Sequence, residues 1–475
     1  MIKVALVYPN LYRVGISNLG FHIVYDLANS LEYVSCERFF LDRNLSIETG
    51  AKLGDFDIIL FSWQFELDCL NILEILHRNG IPIRRNEREQ IVAVGGPCSV
   101  NPMPLKRFVD IFFIGEAEVN LIPFLELYAE VGKDIESFTD IDGIYVSDID
   151  NKVKRVYFRN LDDYYPRIAE AQDSSFGDTF LLEISRGCNR GCRFCMGGYI
   201  FRPKRERSLD KLKEIVDRVK KKKICLLGAS VSDYTNIEEL CEYLSSRNFL
   251  ISAPSLRADT LTEDMVRYLV KSGQRSITLA PEANERLRRV VNKNISDEQI
   301  LRACDICFRA GIKNFKLYFI LGIPTEDEED IKEEAELVKK IKGKIKLSIN
   351  PLIPKPHTPF QWIGLDSISN VKYKVKLLRK ILKGRAKIEV ENLKKSFLQA
   401  TISRGDEKLG EIIEKAFFYG KGLGAFRRAF KECNMEYGHY TRELSLDEEL
   451  PWSKIGIGIS EKFLKSEYKK ALGLI

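Results

Sequence analysis

From the N-terminus to about Val131, short apolar runs alternate with stretches whose apolar residues recur every three to four positions. Ile2–Val7, Phe56–Phe61, Ile91–Val94 and Ile111–Ile114 read as strands, and Leu67–Arg78 reads as a helix between two of them. This alternation predicts a doubly wound, Rossmann-like parallel sheet over residues 1–135. The aspartate-rich stretch from Asp140 to Asp150, followed by Val153–Phe158 and Asp162–Pro166, reads as a hairpin or linker over 136–174.

A second, more regular run follows. Phe180–Ile184, Ile224–Leu227, Leu250–Ala253, Ser276–Ala280, Phe315–Leu321 and Ile345–Ile349 are strand-like, and all but the last lead into helical sequence. Leu209, Leu212, Ile215, Val216 and Val219 fall on one helical face. Ser296 with Gln299 reads as a capping box for a helix ended by Gly311, and Thr325 with Glu328 as another. Six βα units predict a partial (β/α)6 barrel over 175–385, with its active site at the carboxyl ends of the strands. Residues 386–475 loosen into basic helical stretches and read as a small, mainly α C-terminal domain on the substrate side. The fold class is α/β.

Composition narrows the field. The 475 residues carry 74 Lys+Arg against 68 Asp+Glu, a net charge of +6, with 30% charged and 45% apolar residues, which excludes disorder and collagen and gives no bulk-charge case for nucleic acid. No apolar run approaches the roughly 18–20 residues of a membrane span, and Met1 to Pro9 lacks the pattern of a secretory signal, so a cytoplasmic protein is expected. An odd number of cysteines, 11, argues for buried thiols or metal ligands rather than disulfides.

The chemistry concentrates just after the first barrel strand. Ser185-Arg186-Gly187-Cys188-Asn189-Arg190-Gly191-Cys192-Arg193-Phe194-Cys195 spaces three thiols as CxxxCxxC on a glycine-rich loop. Zinc sites and ordinary ferredoxin clusters take four protein ligands, so three thiols with no nearby His suit an iron–sulfur cluster with one iron left open. Arg186, Arg190 and Arg193 offer positive charge to stabilise thiolates. The bland alternative is a zinc knuckle that borrows a fourth ligand.

This loop, at the end of the first strand of a six-unit barrel, resembles the radical S-adenosylmethionine (SAM) superfamily. The resemblance implies that Cys188, Cys192 and Cys195 ligate three irons of a [4Fe-4S] cluster whose fourth iron chelates SAM, and that one electron then releases a 5′-deoxyadenosyl radical. It places Phe194 near the adenine. Leu227-Gly228-Ala229 stands where the family has a Gly-Gly-Glu turn; the acid is absent, so contact there is through backbone. Ser255, Arg257 and Glu282, at the ends of the third and fourth strands, are implied SAM ligands, and Gly322 of the Phe319–Glu326 stretch is implied to support adenine. Pro354-Lys355-Pro356-His357-Thr358-Pro359-Phe360-Gln361-Trp362 is similar to a segment of methylthiotransferase-like and cobalamin-dependent members.

The first domain resembles the cobalamin-binding domain that precedes many such barrels, through Gly95-Gly96-Pro97, Asn101-Pro102, Asp110 and Gly115-Glu116-Ala117-Glu118. The resemblance implies that Gly95, Gly96, Gly115 and Glu116 meet the corrin. Asp-x-His-x-x-Gly is absent, and the Asn18–His22 stretch does not supply it, so no His ligand to cobalt is expected. Ser403-Arg404-Gly405-Asp406 and Leu450-Pro451-Trp452-Ser453 are similar to the C-terminal part of a fused cobalamin-domain radical SAM subfamily.

Other cysteines and histidines weigh less. Cys304 and Cys307 read as buried helical thiols, and Cys36, Cys69 and Cys98 as core before auxiliary-cluster ligands. His22, His77 and His439 read as structural or surface groups, whereas His357 near the barrel mouth is a candidate acid–base group. The function expected is hydrogen abstraction from an unactivated carbon, followed by cobalamin-dependent methylation or rearrangement, served by an external one-electron donor such as flavodoxin or ferredoxin. Two alternatives stand beside it: a cobalamin-free methylthiotransferase-like or RNA- or ribosome-related modification enzyme, and a non-catalytic iron–sulfur or RNA-binding protein.

Overall fold

The computed structural model describes residues 1–254 and 256–475. The chain forms two compact units, each assembled from separated segments: Met1–Arg159, Asp163–Gly177 and Leu398–Ile459 make the first; Asn160–Asp162, Asp178–Phe397 and Ser460–Ile475 make the second. The segment 386–475, expected as one domain, is thus divided between the two units.

The first unit is built on β1 (Ile2–Tyr8), β2 (Val34–Phe40), β3 (Ile58–Ser62), β4 (Ile91–Gly95), β5 (Ile111–Phe113) and β6 (Ile144–Val146), in the order β2-β1-β3-β4-β5-β6. All pairs are parallel except β5–β6. The alternation anticipates β1, β3, β4 and β5 within a residue or two. It misses β2, where Glu37 and Arg38 interrupt the apolar pattern, and β6, so the stretch read as a linker adds an edge strand to this sheet. Further on, Val153–Lys154 pairs with Ile455–Gly456, which ties that stretch to the C-terminal part. Residues from Leu398 to Phe430 join one core with Trp63, Cys69, Leu73 and Phe108. Asn101, after β4, donates its amide to the carbonyls of Ser403 and Gly405, 3.0 Å each.

Strand order reverses between β1 and β3, the place where such sheets take ligands. Here the two outgoing loops are tied together: Asn10 and Asn71 donate to Asp68 Oδ1 at 3.0 and 3.1 Å, and Asn71 also donates to the Pro9 carbonyl at 2.9 Å. Burial pushes the Asp68 carboxyl up to about 7, against the two amides, which lower it.

The second unit carries β7 (Thr179–Glu183), β8 (Lys223–Leu227), β9 (Leu250–Ser252), β10 (Ser276–Glu282), β11 (Asn314–Leu321), β12 (Lys344–Pro351) and β13 (Ala386–Val390). β9-β8-β7 lie in one parallel group and β10-β11-β12-β13 in another, joined at a Leu256–Leu279 bridge. All six expected strands form. β13, alternating Lys and Glu with its apolar residues, is a seventh that the apolar pattern passes over. The Ser296–Gln299 capping box opens the helix Asp297–Arg309, but the second box is made by Asp327 and Asp330 rather than Thr325 and Glu328. Thr325 has φ +70° and stands in the turn before that cap. No helix among the described residues is long and apolar enough to cross a membrane.

Two tests address the first unit. A Cβ at Gly115, where φ is +135°, would stand 2.2 Å from the Val156 carbonyl oxygen; Gly115→Ala is therefore expected to destabilise the unit by about 2 kcal/mol or more. An unchanged denaturation midpoint would contradict this packing. For Asp68, a folded pKa above the unfolded one means that the folded state binds the extra proton, so stability falls as pH rises from about 4 to about 7. Asp68→Asn should flatten that part of the pH–stability curve, measured by urea unfolding, and an unaltered slope would count against it.

Candidate active site

Ser185–Arg186 pairs antiparallel with Arg205–Glu206, so the segment from 185 to 206 closes on itself at the carboxyl end of β7. Gly187, φ +82°, makes the closure sterically feasible: a Cβ there would stand 2.2 Å from the Phe201 carbonyl oxygen and 2.6 Å from that of Pro203. Cys188, Cys192 and Cys195 all lie on this closed loop, half-buried and not disulfide-bonded. Burial pushes the Cys192 thiol up to about 11, with Lys293 and Arg257 opposing it, and raises Cys195 as well.

Each loop arginine has a carboxylate partner, and Arg190 also interacts favourably with Cys188, to whose sulfur its backbone N–H donates at 3.5 Å. Arg186 binds Glu183 at 2.8 Å, Arg190 binds Asp233 at 2.6 Å, and Arg193 binds Glu467 at 3.0 Å. They are braces. Arg193, buried, also donates to the carbonyls of Arg289 and Val290 at 3.2 and 2.7 Å, and its own carbonyl accepts from Phe360 N. One guanidinium thereby fastens the loop to the helix Glu285–Val290 and the C-terminal helix Glu461–Ala471. Trp362 packs edge-on against Tyr468 of that last helix, with ring centres 5.8 Å apart.

Around this loop stand the residues that the family resemblance implies for SAM. Glu282 ends β10 after a register shift and has φ +69°, an outlier for a side-chain-bearing residue and a mark of a constrained site. Its carboxylate accepts from Lys293 Nζ at 2.8 Å, and both groups are buried. Arg257 grips Asp259 through two bonds of 3.0 and 2.9 Å, and its backbone N–H donates to Ser232 Oγ. Gly228 lies against the start of the loop, where a Cβ would stand 2.7 Å from Ser185 Oγ. Ala229 beside it is exposed and Phe194 half-buried, while Ser255 lies outside the described residues. Gly322, φ +87°, donates its N–H to Glu326 at 2.8 Å, and Lys374 joins Glu326 to Asp366.

Lys293, Glu326, Lys374 and Glu467 were missed by sequence reasoning. Lys293 follows a helix by two residues and resembles any C-terminal cation, and Lys374 and Glu467 lie on helices remote in sequence. Only Glu326, four residues after a glycine in a turn, left a local signal.

The other candidates are buried. His357 has φ +59° and its N–H donated to Gln361, three residues before Phe360, whose own N–H donates to the Arg193 carbonyl. His22 is fully buried with Nε2 2.9 Å from the Ile16 carbonyl, and burial pushes its pKa down to about 4. Cys36, Cys69, Cys98, Cys304 and Cys307 are all buried. Among the described residues, no three His, Cys, Asp or Glu side chains gather round a point where a single metal ion would sit.

In the first unit, the residues expected to meet a corrin also take part in the chain's own packing. Gly96, φ +112°, would place a Cβ 2.6 Å from the Trp63 carbonyl oxygen, Gly115 closes on Val156, and Glu116 accepts from Phe158 N at 3.0 Å. Gly95 meets only Phe113 Cβ, at 3.6 Å.

Two family models match the chain: "Radical SAM proteins, N-terminal" over residues 20–146 and "Radical SAM superfamily" over 182–338, the latter spanning the three cysteines. The chain belongs to the radical SAM superfamily. An uncharacterised protein of Methanocaldococcus jannaschii is 38% identical over 431 residues, which cover 87% of this chain and 91% of that one. The tRNA-2-methylthio-N(6)-dimethylallyladenosine synthase of Pelagibacter ubique is 29% identical over 55% of this chain and 59% of its own length. Among solved structures, the radical SAM methyltransferase TsrM of Kitasatospora setae, with cobalamin and a [4Fe-4S] cluster bound, matches 91% of this chain and 100% of its own at TM-score 0.54 and 11% identity. At that identity the match shows a shared fold. Membership of the radical SAM superfamily makes the chain an enzyme of SAM and a [4Fe-4S] cluster, and the half-buried thiols on a closed loop fit that cluster.

The brace at Arg193 yields a prediction. Glu467→Gln leaves the buried guanidinium without its anion, so the reconstituted protein should lose its broad visible absorption in air several-fold faster than wild type. Equal lifetimes would show that the C-terminal helix does not hold the loop.

Proposed function

We propose that this radical SAM enzyme activates an unactivated carbon for cobalamin-dependent methyl transfer or rearrangement. The observation that carries the SAM half of this reading is the closed loop with its three thiols, set beside the strained, buried Glu282–Lys293 pair. The cobalamin half is supported by the fold shared with TsrM along nearly the whole chain.

When bound, the cluster with one iron open to SAM supplies the electron that cleaves the sulfonium. The chain supplies placement. Cys188, Cys192 and Cys195 would hold the irons; Arg257 and Lys293 stand near Cys192 with their charges matched by Asp259 and Glu282, a balanced polar set for the carboxylate and amino groups of SAM. Because each cation already has an anion, a zwitterion enters by exchanging partners rather than by neutralising a bare charge. Glu326 and Lys374 hold the Gly322 turn that would lie beside adenine, and Gly228 keeps the loop base free of side chain. In the first unit, Gly95, Gly96, Gly115 and Glu116 would be the residues to meet a corrin, His22 is committed to a carbonyl, and no step is assigned to that group. A ferredoxin- or flavodoxin-like protein in the cytoplasm would deliver the electron.

The synthase of Pelagibacter ubique favours a second reading, sulfur insertion into RNA without cobalamin, since it matches over 55% of this chain.

Reduced, reconstituted wild type should form 5′-deoxyadenosine from SAM, and Cys192→Ala should form none. No product from fully reconstituted wild type would overturn the radical reading. Incubated with hydroxocobalamin and desalted, the protein should retain about one corrin per chain; no retention would remove cobalamin and leave the sulfur-insertion reading ahead.

A further inference from the structure

The sheet β10–β13 carries charged chemistry that the SAM end of the site does not use. Along β11 and β12, residues alternate between buried and half-exposed from Phe315 and Ile345 onward. Crossovers between parallel strands are right-handed and put the connecting helices on one face. The buried alternates, Phe315, Leu317 and Phe319 with Ile345, Leu347 and Ile349, belong to that face, and the half-exposed ones line the opposite, inner face.

Register arranges the inner face in rows. Thr278, Lys316, Lys346 and Lys387 are partners on four consecutive strands; Tyr318, Ser348 and Glu389 form the next row, and Ile320 and Asn350 the one after. Three lysines on adjacent strands, about 4.8 Å apart, repel one another. Two of them share one carboxylate: Glu389 lies 2.6 Å from Lys346 and 3.0 Å from Lys387. Lys316 donates to the Tyr318 hydroxyl at 2.6 Å and stands 4.5 Å from that ring's centre; among the described residues it has no carboxylate partner. The cations nearer the cluster differ, because Lys293, Arg257 and Arg190 each have an acid of their own. The Lys346 and Lys387 side chains are 42% and 74% exposed, so the row is accessible.

We infer that the substrate bears an anionic group, a phosphate or a carboxylate, and that the row Lys316–Lys346–Lys387 receives it, with Tyr318 and Ser348 offering hydroxyls alongside. This rests on the radical SAM reading for where the chemistry occurs and adds the class of substrate. Lys316 precedes Leu321 by five residues, about 16 Å of strand. The anionic group therefore lies well away from the reacting carbon, and the substrate is an extended molecule.

The test titrates reconstituted, SAM-loaded protein with inorganic phosphate, with succinate and with glycerol by calorimetry. One anion should bind saturably where glycerol does not, and the tighter of the two identifies phosphate or carboxylate as the group. Lys316→Met and Lys346→Met should each weaken that binding at least tenfold, Lys316→Arg should retain it, and Lys340→Met on an exposed helix face should leave it unchanged. Anions that bind no better than glycerol, or equally well to wild type and both Met variants, would overturn the inference. If wild type still cleaves SAM in that case, the substrate class alone falls; if it does not, the radical reading falls with it.

Discussion

Three thiols can share one cluster only if the loop that carries them is closed and fastened. The closure is backbone: Ser185–Arg186 against Arg205–Glu206, with Gly187 passing so near the Phe201 and Pro203 carbonyls that no other residue fits. The fastening is one guanidinium. Arg193 stands between two of the cysteines and joins the loop to two carbonyls and to Glu467, 274 residues on. Its burial makes those bonds matter, since a charge withdrawn from water without partners is costly. The C-terminal helix thus belongs to the site's framework, as does the Pro359–Trp362 turn against which it packs.

Charge is distributed with the same economy. Near the cluster, cations and anions come in pairs, Glu282 with Lys293, Arg257 with Asp259, Arg190 with Asp233, so the site is polar and nearly neutral. Such a site suits a zwitterion. Lower in the barrel, three lysines face one glutamate, and the same accounting gives a surplus of positive charge where no part of SAM is expected.

Much of this was legible in the sequence because it is local. The cysteine spacing, the glycine turns and the strands β7 to β12 depend on neighbours within a few residues. Strands β2 and β13 escaped because charged side chains on an edge or inner face break the apolar pattern without breaking the hydrogen-bonded ladder. Glycines 96 and 115 were legible as glycines but only the fold names their neighbours: the sequence marks a close approach, and the structure shows Trp63 and Val156 making one. The arginines of the cluster loop were legible as charge beside thiols but not as braces, since the partners of Arg190 and Arg193, Asp233 and Glu467, become neighbours only in the fold. The lysine row is the clearest case. Lys316, Lys346 and Lys387 are ordinary strand lysines in sequence and form a row only through the register of three strands.

The central claim is that the Cys188–Cys195 loop holds a cluster with an iron open to SAM. Electron paramagnetic resonance of the anaerobically reconstituted, reduced protein, recorded before and after SAM is added, tests it most directly. The account predicts a reduced four-iron signal whose g values shift on addition of SAM. A signal indifferent to SAM, or a protein that takes up zinc and no iron, would contradict it.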